Sequence, residues 1–349
     1  MKFKKRNVSL PVRRLGGLVG FLIAITLGLQ PPAQVEAKTE SPWKPNERVP
    51  GYADETYTPF IVADQDHYVH AFATQWTGSG VRNGVVYRKW SLEAGWTTPV
   101  DILLSPIESD AVIQGVYLDP TGMFHLLFFS GERTRKYIYY SQARVEEAAS
   151  ARAWSTPTII GTQAIDPSYA AISGDAQGNL VVIYSGNIAG GGVYSVYSTD
   201  SGSTWSNPET VFLTRDSRNV PFSLRIFPGQ NNTVHAAWNV VTNLGADISL
   251  HYARYDLVEH RWNQPTTLNQ KTGGGVGSFG PSYPSLVDTG KQVIVFYNSG
   301  NPYPNLPVEQ GRPMQVVSIS NDNGDTWTPP FKQRVWLNSS TYGRTRLRS

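Results

Sequence analysis

One eight-residue pattern occurs twice in this chain and narrows the folds that the chain can adopt. Residues 198–205 (STDSGSTW) and 320–327 (SNDNGDTW) both have the form Ser-x-Asp-x-Gly-x-Thr-Trp, and each follows an apolar run with strand character. The aspartate carboxylate can accept bonds from the backbone N–H groups just after it, and the glycine supplies a positive φ that a Cβ would penalise. Threonine and tryptophan then favour the start of a new strand. Each copy is therefore predicted to be the tip of a β-hairpin.

Two other segments recur together with these hairpin tips. A turn followed by a wholly apolar strand occurs five times, with starts 54 to 59 residues apart, at residues 64–73, 119–129, 175–184, 229–238 and 288–297. A tryptophan followed within three residues by proline closes each unit, at Trp96, Trp154, Trp205, Trp262 and Trp327. The chain therefore contains five repeated units.

Each unit contains four predicted strands, named A to D in chain order. Strand A precedes the turn, strand B is the apolar run, strand C carries tyrosines, and strand D is predicted to start at the tryptophan. The continuous apolarity of strand B predicts that both of its faces are buried, as between stacked sheets. Beyond the N-terminal segment no stretch has sustained helical periodicity. The predicted fold class is all-β, a β-propeller of four-stranded blades.

The eight-residue pattern resembles the Asp-box, or bacterial neuraminidase repeat, of the sialidase superfamily. That resemblance implies a sialidase-like propeller, with the boxes on the face away from the active site, where they are structural and not catalytic. The structural residues that it implies are Ser198, Asp200, Gly202, Thr204, Trp205, Ser320, Asp322, Gly324, Thr326 and Trp327.

The two ends of the repeated region predict an incomplete sixth blade. Residues 41–49 have the character of a strand D and precede the first full unit, and residues 342–349 align with the strand A of the first unit. Propellers are commonly closed by a blade whose strands come from both ends of the chain. The alternative is a five-bladed ring with a loose tail.

The N-terminal segment predicts export. Six basic residues precede the apolar run 15–29, and Val35-Glu36-Ala37 provides a small-x-small cleavage site, which together form a secretory signal peptide. The predicted domains are a signal peptide at 1–37 and a propeller at 38–349, secreted, periplasmic or on the cell surface. The apolar run is short for a membrane span, so an uncleaved anchor is the weaker alternative.

Charge and cysteine content limit the partners and the means of stabilisation. Without residues 1–37 the chain carries two more acidic than basic residues, which gives no electrostatic footprint for nucleic acid or for an acidic membrane. The chain has no cysteine, so its core alone must hold it without disulfides. The predicted partner is a carbohydrate or glycoconjugate, with no nucleic acid and no stable membrane span after cleavage.

Connectivity predicts which loops share a face. The A-to-B and C-to-D turns lie on one side of the propeller, and the D-to-A links and B-to-C loops lie on the other, around the axis, where ligand sites are expected. On this axial face the predicted ligand-binding residues are Arg82, Arg225, Tyr303 and Arg312, and the candidate catalytic residues are Asp54, Asp110, Glu309 and Tyr342.

The resemblance implies a sialidase site, and parts of that site are missing. Sialidases use a tyrosine nucleophile, a polarising glutamate, an acid/base aspartate and three arginines that clamp the carboxylate of sialic acid. Thr58 stands where the first arginine is expected, and the loop from Gln75 to Asn83 holds no carboxylate. Arg225 and Tyr342 fit in part. These departures favour a module that binds acidic glycans.

Two other functions stay open: a glycoside hydrolase or lyase with a divergent site, and a non-catalytic fragment of a longer enzyme. No cofactor and no metal site are predicted. His70, His125 and His235 occupy one repeated position on strand B, which favours a packing role over metal binding.

Overall fold

Each of the five repeats forms one antiparallel sheet with its strands in chain order. Sheet 1 contains β1 (Phe60–Ala63), β2 (Val69–Trp76), β3 (Asn83–Ser91), β4 (Gly95–Trp96) and β5 (Val100–Leu103). Sheet 2 contains β6 (Val112–Leu118), β7 (Met123–Glu132), β8 (Arg135–Arg144) and β9 (Thr158–Gly161). Sheet 3 contains β10 (Ala170–Gly174), β11 (Leu180–Gly186), β12 (Gly192–Ser198) and β13 (Glu209–Leu213).

The last two sheets follow the same plan. Sheet 4 contains β14 (Asn219–Pro228), β15 (Thr233–Thr242), β16 (Asp247–Asp256), β17 (Arg261–Trp262) and β18 (Thr266–Gln270). Sheet 5 contains β19 (Ser282–Asp288), β20 (Val293–Ser299), β21 (Met314–Ser320) and β22 (Phe331–Lys332). Two short 3₁₀ turns, Val145–Glu147 and Ala151–Ala153, lie in the C-to-D connection of sheet 2.

The computed structural model describes residues 49, 59–76, 82–132, 135–165, 169–216, 218–272, 280–301 and 313–332. They belong to one compact unit, Val49–Ser349, whereas a second unit, Met1–Arg48, lies outside them. The predicted signal peptide, the closing blade and five of the predicted site residues also lie outside: Asp54, Tyr303, Glu309, Arg312 and Tyr342. Within these ranges there is no α-helix, and no helix is long and apolar enough to cross a membrane.

The core lies between neighbouring sheets, as the apolarity of strand B predicts. Every residue of β11 is buried, because one of its faces packs on sheet 2 and the other on sheet 4. Aromatic rings fill the spaces between sheets; the rings of Phe72 in sheet 1 and Phe124 in sheet 2, for example, lie 5.1 Å apart. The prediction of five antiparallel four-stranded units in an all-β fold is confirmed.

The first strands of successive sheets lie next to one another. β1 contacts β6, β6 contacts β10, β10 contacts β14, and β14 contacts β19. Strands A and C begin at the same end of every sheet, and this end is called the axial face. The opposite end carries the A-to-B and C-to-D turns and is called the turn face.

The predicted start of strand D is wrong. Trp96 and Trp262 lie in two-residue strands that end before the main D strand begins, and Trp205 lies outside any strand. The prolines just after the tryptophans explain the difference, because proline has no N–H to donate to the neighbouring strand C. The ladder resumes only beyond the proline, at β5, β13 and β18, for example.

Candidate functional site

The two Ser-x-Asp-x-Gly turns of the turn face are closed by their own side chains. The Asp200 carboxylate accepts the Thr204 backbone N–H at 2.8 Å and the Ser198 hydroxyl at 2.8 Å. The Asp322 carboxylate accepts the Thr326 N–H at 2.8 Å in the same way. These bonds to ionised oxygens lower the pKa of both carboxyl groups, that of Asp322 to about 2, with the threonine hydroxyl as the largest cause.

Each of these turns rests on a tyrosine of the preceding sheet. A Cβ on Gly202 would lie 2.0 Å from the Tyr140 Oη, and a Cβ on Gly324 would lie 1.9 Å from the Tyr252 Oη. Both glycines also have positive φ, 83° and 92°. Only glycine fits these positions, because any other residue would meet both the backbone strain and the ring. The turns therefore join neighbouring sheets.

The same tyrosines belong to a repeated group of aspartate, histidine and tyrosine. His125 Nδ1 lies 2.7 Å from Tyr140 Oη, and its Nε2 lies 3.3 Å from Asp119 Oδ2. In sheet 1, His70 makes the equivalent contacts at 2.8 Å to Tyr87 Oη and 3.0 Å to Asp64 Oδ2. These histidines are fully buried, and both of their ring nitrogens have partners.

The third group takes its carboxylate from the next sheet. His235 Nδ1 lies 2.7 Å from Tyr252 Oη, while its Nε2 faces Asp288 of sheet 5 at 3.4 Å. Gly229 stands where sheets 1 and 2 have aspartate, and a Cβ there would lie 2.5 Å from His235 Nε2. Burial lowers the pKa of His235 to about 4, so its ring is neutral at pH 7.

These contacts agree with a packing role for the three histidines. In the described part of the chain no three His, Cys, Asp or Glu side chains form a group that could hold a metal ion. The turn face therefore contains repeated polar groups that connect sheets; in the third group His235 Nε2 has no hydrogen-bond partner among the described residues, only the 3.4 Å contact with Asp288.

On the axial face, two of the predicted site residues fasten sheet 1 to sheet 2. The Asp110 carboxylate accepts the Asn83 backbone N–H at 2.7 Å and the Asn83 side-chain amide at 3.1 Å. Arg82 pairs with Glu108 at 3.3 Å and donates to the Ile107 carbonyl at 3.2 Å. Both side chains are thus engaged with their own chain.

Arg225 lies instead at the junction between sheets 4 and 5, which is called the crevice. It sits on β14 opposite Ala237, whose side chain packs with residues of sheet 5, so Arg225 shares that face of sheet 4. Its Nη1 donates to the Leu224 carbonyl at 2.8 Å.

A polar cluster occupies the axial end of this crevice. The Asn239 side-chain nitrogen donates to Asp247 Oδ1 at 3.0 Å, and the Ser282 hydroxyl and Gly280 N–H of the neighbouring sheet donate to the same carboxylate. Burial nevertheless raises the pKa of Asp247 to about 6, against the effect of these bonds and of the Lys271 ammonium. A carboxyl group with this pKa can gain or lose a proton near neutral pH.

Asn239 leaves one polar atom of the cluster without a partner. The residue is fully buried, and no hydrogen bond reaches its side-chain oxygen among the described residues. A buried acceptor without a donor costs about 1–3 kcal/mol. Such an atom at the end of a crevice marks a place where a proton, a water or a ligand group would be stabilising.

An aromatic row lies beside this cluster. The ring of Phe222 lies 4.3 Å from that of Tyr169 in sheet 3 and 6.1 Å from that of Tyr283 in sheet 5. Phe222 also lies opposite Asn239 in the β14–β15 pair, so the row and the cluster share the crevice.

The backbone beside the rings is strained in the same way in two sheets. Ser223 has φ 50° and Tyr283 has φ 52°, and each lies at an irregularity in the pairing of strands A and B. Left-handed conformations of non-glycine residues cost about 1–2 kcal/mol each and concentrate at functional sites.

The sequence predictions included Arg225 but missed the residues around it. Asp247, Asn239, Ser282, Phe222 and Tyr283 were not among the candidates. A signal for Asp247 was present, because it directly follows a B-to-C loop, and such loops were assigned to the axial face. The partners of Asp247 come from two other strands, and no spacing in the sequence indicates them.

Solved structures resemble this fold at low sequence identity. A PL25 ulvan lyase bound to -[GlcA(1-4)Rha3S]- matches with a TM-score of 0.52 and 10% identity over 77% of this chain and 70% of the lyase. The NanB sialidase from Streptococcus pneumoniae matches with a TM-score of 0.50 and 9% identity over 82% of this chain and 62% of the sialidase. No protein-family model matches the chain, and no curated protein matches its sequence.

The lyase and the sialidase are β-propeller enzymes, and the chain has a fold of that class. The alpha-L-arabinofuranosidase PaAbf62A from Podospora anserina is more distant, with a TM-score of 0.43 and 13% identity over 79% of this chain and 94% of that protein. At this score the likeness supports no conclusion about the chain.

Proposed function

We propose that this chain is an exported, sialidase-like propeller that binds acidic carbohydrate on its axial face, in the crevice between sheets 4 and 5. The observation that carries the proposal is the combination of an aromatic row, an arginine and a buried polar cluster in one crevice. Aromatic rings offer apolar surface to the C–H faces of sugars, and the guanidinium fork of Arg225 suits a carboxylate or a sulfate.

The nature of the structural neighbours supports a carbohydrate as the ligand. One is described as a polysaccharide lyase bound to a glucuronate-containing, sulfated oligosaccharide, and the other is a sialidase. Both descriptions concern acidic sugars. The neighbours show the fold alone, so the ligand class is a proposal that rests on the crevice.

Binding without efficient sialidase chemistry accounts for the missing catalytic residues. Thr58 stands at the position of the first arginine, and the segment between Gln75 and Asn83 has no carboxylate. Loss of general acid assistance alone costs about 10²- to 10⁴-fold in rate. The second candidate function is a glycoside hydrolase or lyase with a divergent site, and the raised pKa of Asp247 favours it, because an acid/base catalyst works best near the operating pH.

The proposal includes the finer architecture and the location predicted from the sequence. The propeller would be six-bladed, with a closing blade made from residues 41–49 and 342–349, and the Ser-x-Asp-x-Gly turns would be Asp-boxes. Export would follow cleavage after Ala37. The pattern of basic, apolar and small residues at the N-terminus supports this location.

A glycan array tests the proposed function with four proteins. The wild type should bind uronate- or sialate-containing glycans, Arg225→Ala should lose at least about tenfold in affinity, and Arg225→Lys should recover only part of it, because lysine lacks the bidentate fork. Arg218→Ala is the matched control: Arg218 is an exposed axial-face arginine that pairs with Asp216 at 2.7 Å. Its binding should equal that of the wild type.

A fluorogenic sialoside assay separates binding from catalysis. Turnover within about tenfold of an ordinary kcat, which is about 10 s⁻¹, would contradict the binding module and favour the enzyme. Unchanged glycan binding by Arg225→Ala would contradict the choice of crevice.

A further inference from the structure

Asp247 lies where an incoming ligand could sense its charge. Its side chain is only partly buried, whereas its two neighbours in the cluster, Asn239 and Ser282, are almost completely buried. Asn239 lies opposite Phe222, and Ser282 directly precedes Tyr283, so the carboxyl group that both residues contact lies in the same region as these two rings.

The unpartnered oxygen of Asn239 indicates which form of Asp247 fits the site. An ionised carboxylate can only accept hydrogen bonds, so it leaves that oxygen without a donor. A protonated carboxyl group can donate to the Asn239 oxygen while it accepts from the Asn239 nitrogen, which already lies 3.0 Å from Asp247 Oδ1. Protonation thus satisfies a buried acceptor that has no other donor among the described residues.

Few other charges act on this carboxyl group. The Lys271 ammonium acts from the segment after β18, and Ser282 and Gly280 contribute neutral donors from the neighbouring sheet. On β15 and β19 the titratable groups are His235, Tyr283 and Asp288. His235 and Asp288 lie at the turn face, 3.4 Å from each other and far from Asp247.

We propose that the crevice binds the carboxylate form of an acidic sugar together with one proton, which Asp247 holds against Asn239. This inference rests on the proposed function and deepens it. A bound carboxylate next to an ionised Asp247 would be repelled, and this repulsion is absent next to a neutral Asp247 whose proton is donated to Asn239. By linkage, the ligand and the proton then strengthen each other's binding.

The pKa of Asp247, raised by burial to about 6, sets the range in which this coupling is visible. The protonated fraction falls from about nine-tenths to about one-tenth between pH 5 and pH 7. If only that form binds, the apparent Kd rises about tenfold over this range.

The test uses calorimetric titration of the full-length secreted protein with tetragalacturonate and with 3′-sialyllactose, from pH 5 to pH 7.5. The wild-type Kd should rise about tenfold between pH 5 and pH 7. At pH 6, titration in two buffers of different ionisation enthalpy should show uptake of about half a proton per ligand. The buffer comparison needs no variant.

Two variants assign the proton. Asp247→Asn mimics the neutral carboxyl group, so its Kd should be independent of pH and close to the wild-type value at pH 5. Asp216→Asn removes a carboxylate from the same face, one whose pKa the Arg218 side chain lowers to about 2, and it should keep the wild-type pH dependence. Folding is checked by thermal unfolding. The Tm of Asp247→Asn should be higher than that of the wild type at pH 7.5 and equal to it at pH 4.

The outcomes separate the two proposals. If neither sugar binds at any pH, both the proposed function and this inference are wrong. Binding with a flat Kd, binding that strengthens as pH rises, or a pH dependence that persists in Asp247→Asn would each overturn the inference and leave the proposed function standing.

Discussion

Buried polar groups are paired differently at the two ends of the same sheets. At the turn face, aspartate, histidine and tyrosine meet in sheets 1 and 2 and again between sheets 4 and 5, with distances that vary by little. At the axial face, the cluster of Asp247, Asn239 and Ser282 occurs once among the residues that the structure describes and leaves an acceptor unpaired. The repeated groups are mostly complete, whereas the single group is not.

This difference separates structural from functional polar groups. A joint between sheets is needed wherever sheets meet, so a solution that satisfies most of its polar atoms recurs. A ligand is bound at one place, and the cost of an unpaired atom there is recovered only when the ligand or a proton arrives. Substitutions at the turn face should therefore change stability and not binding, and those at the axial end of the crevice should do the reverse.

The largest effect is expected from Gly202→Ala. The new Cβ would lie 2.0 Å from the Tyr140 Oη in a backbone with φ 83°, so both overpacking and left-handed strain act against it. We expect a loss of about 3–5 kcal/mol in the free energy of unfolding, measured by urea denaturation. Glycan affinity per folded molecule should not change.

Gly95→Ala is the matched control for the clash. Gly95 also has a positive φ, 68°, but a Cβ there would meet nothing within 4 Å. The free energy of unfolding of Gly95→Ala should fall only by the cost of left-handed backbone strain, about 1–2 kcal/mol. Equal losses in the two variants would mean that the contact with Tyr140 does not join the sheets.

A smaller effect is expected from Asp200→Ala. The substitution removes the acceptor of the Thr204 N–H, the Thr204 hydroxyl and the Ser198 hydroxyl. The loss should be on the order of 1–3 kcal/mol in unfolding free energy, with unchanged glycan affinity. If Asp200→Ala has the melting temperature of the wild type but no longer binds glycan, Asp200 has a functional and not a structural role.

The smallest effect is the contribution of His235 to the pH dependence of stability, to which His251, whose pKa burial also lowers to about 4, adds in the same direction. Burial lowers the pKa of His235 to about 4, below its ordinary value of 6.5. The unfolded chain therefore takes up a proton as pH falls below about 6.5 while the folded chain does not until about pH 4, and the folded state loses stability across that window. The contribution of His235 to this loss should be about 1–2 kcal/mol between pH 6.5 and pH 5, measured by urea denaturation as the difference between the wild type and His235→Gln.

His235→Gln should remove most of this contribution, and the exposed His67→Asn should leave it in place. Asp247 acts in the opposite direction, since its raised pKa favours the folded state at low pH and loses that advantage as pH rises through about 6. A His235→Gln variant with the full slope of the wild type would remove this distinction between the two ends.

The sequence was sufficient for the repeated parts of the molecule. Strand B and the hairpins at 198–205 and 320–327 depend on local periodicity and turn chemistry, and both are visible in a short window. The start of strand D was placed too early because tryptophan was given more weight than the proline after it. A proline that interrupts a ladder is also a local signal, so the start of strand D could have been predicted from the sequence.

The contacts in the crevice could not be predicted from local periodicity and turn chemistry. Asp247 matters because Asn239 of a neighbouring strand and Ser282 of the next sheet meet it, and those contacts depend on the register of β15 with β16 and on how sheet 5 packs. Arg82, by contrast, was predicted to bind a ligand, and its contact with Glu108 depends on the path of the link to sheet 2. The types and spacing of residues in the sequence indicate neither the register of β15 with β16 nor the path of the link to sheet 2.

The contacts of Gly202 with Tyr140 and of Gly324 with Tyr252 also limit how such a chain could evolve by duplication of its sheets. A turn of this kind matches the ring of the sheet before it, so sheets 2 and 3 form one matched couple and sheets 4 and 5 form another. A gene duplication that copied a single sheet would separate a glycine from its ring and create a mismatched border. A segment that carries both sheets of a couple keeps the glycine and its ring together.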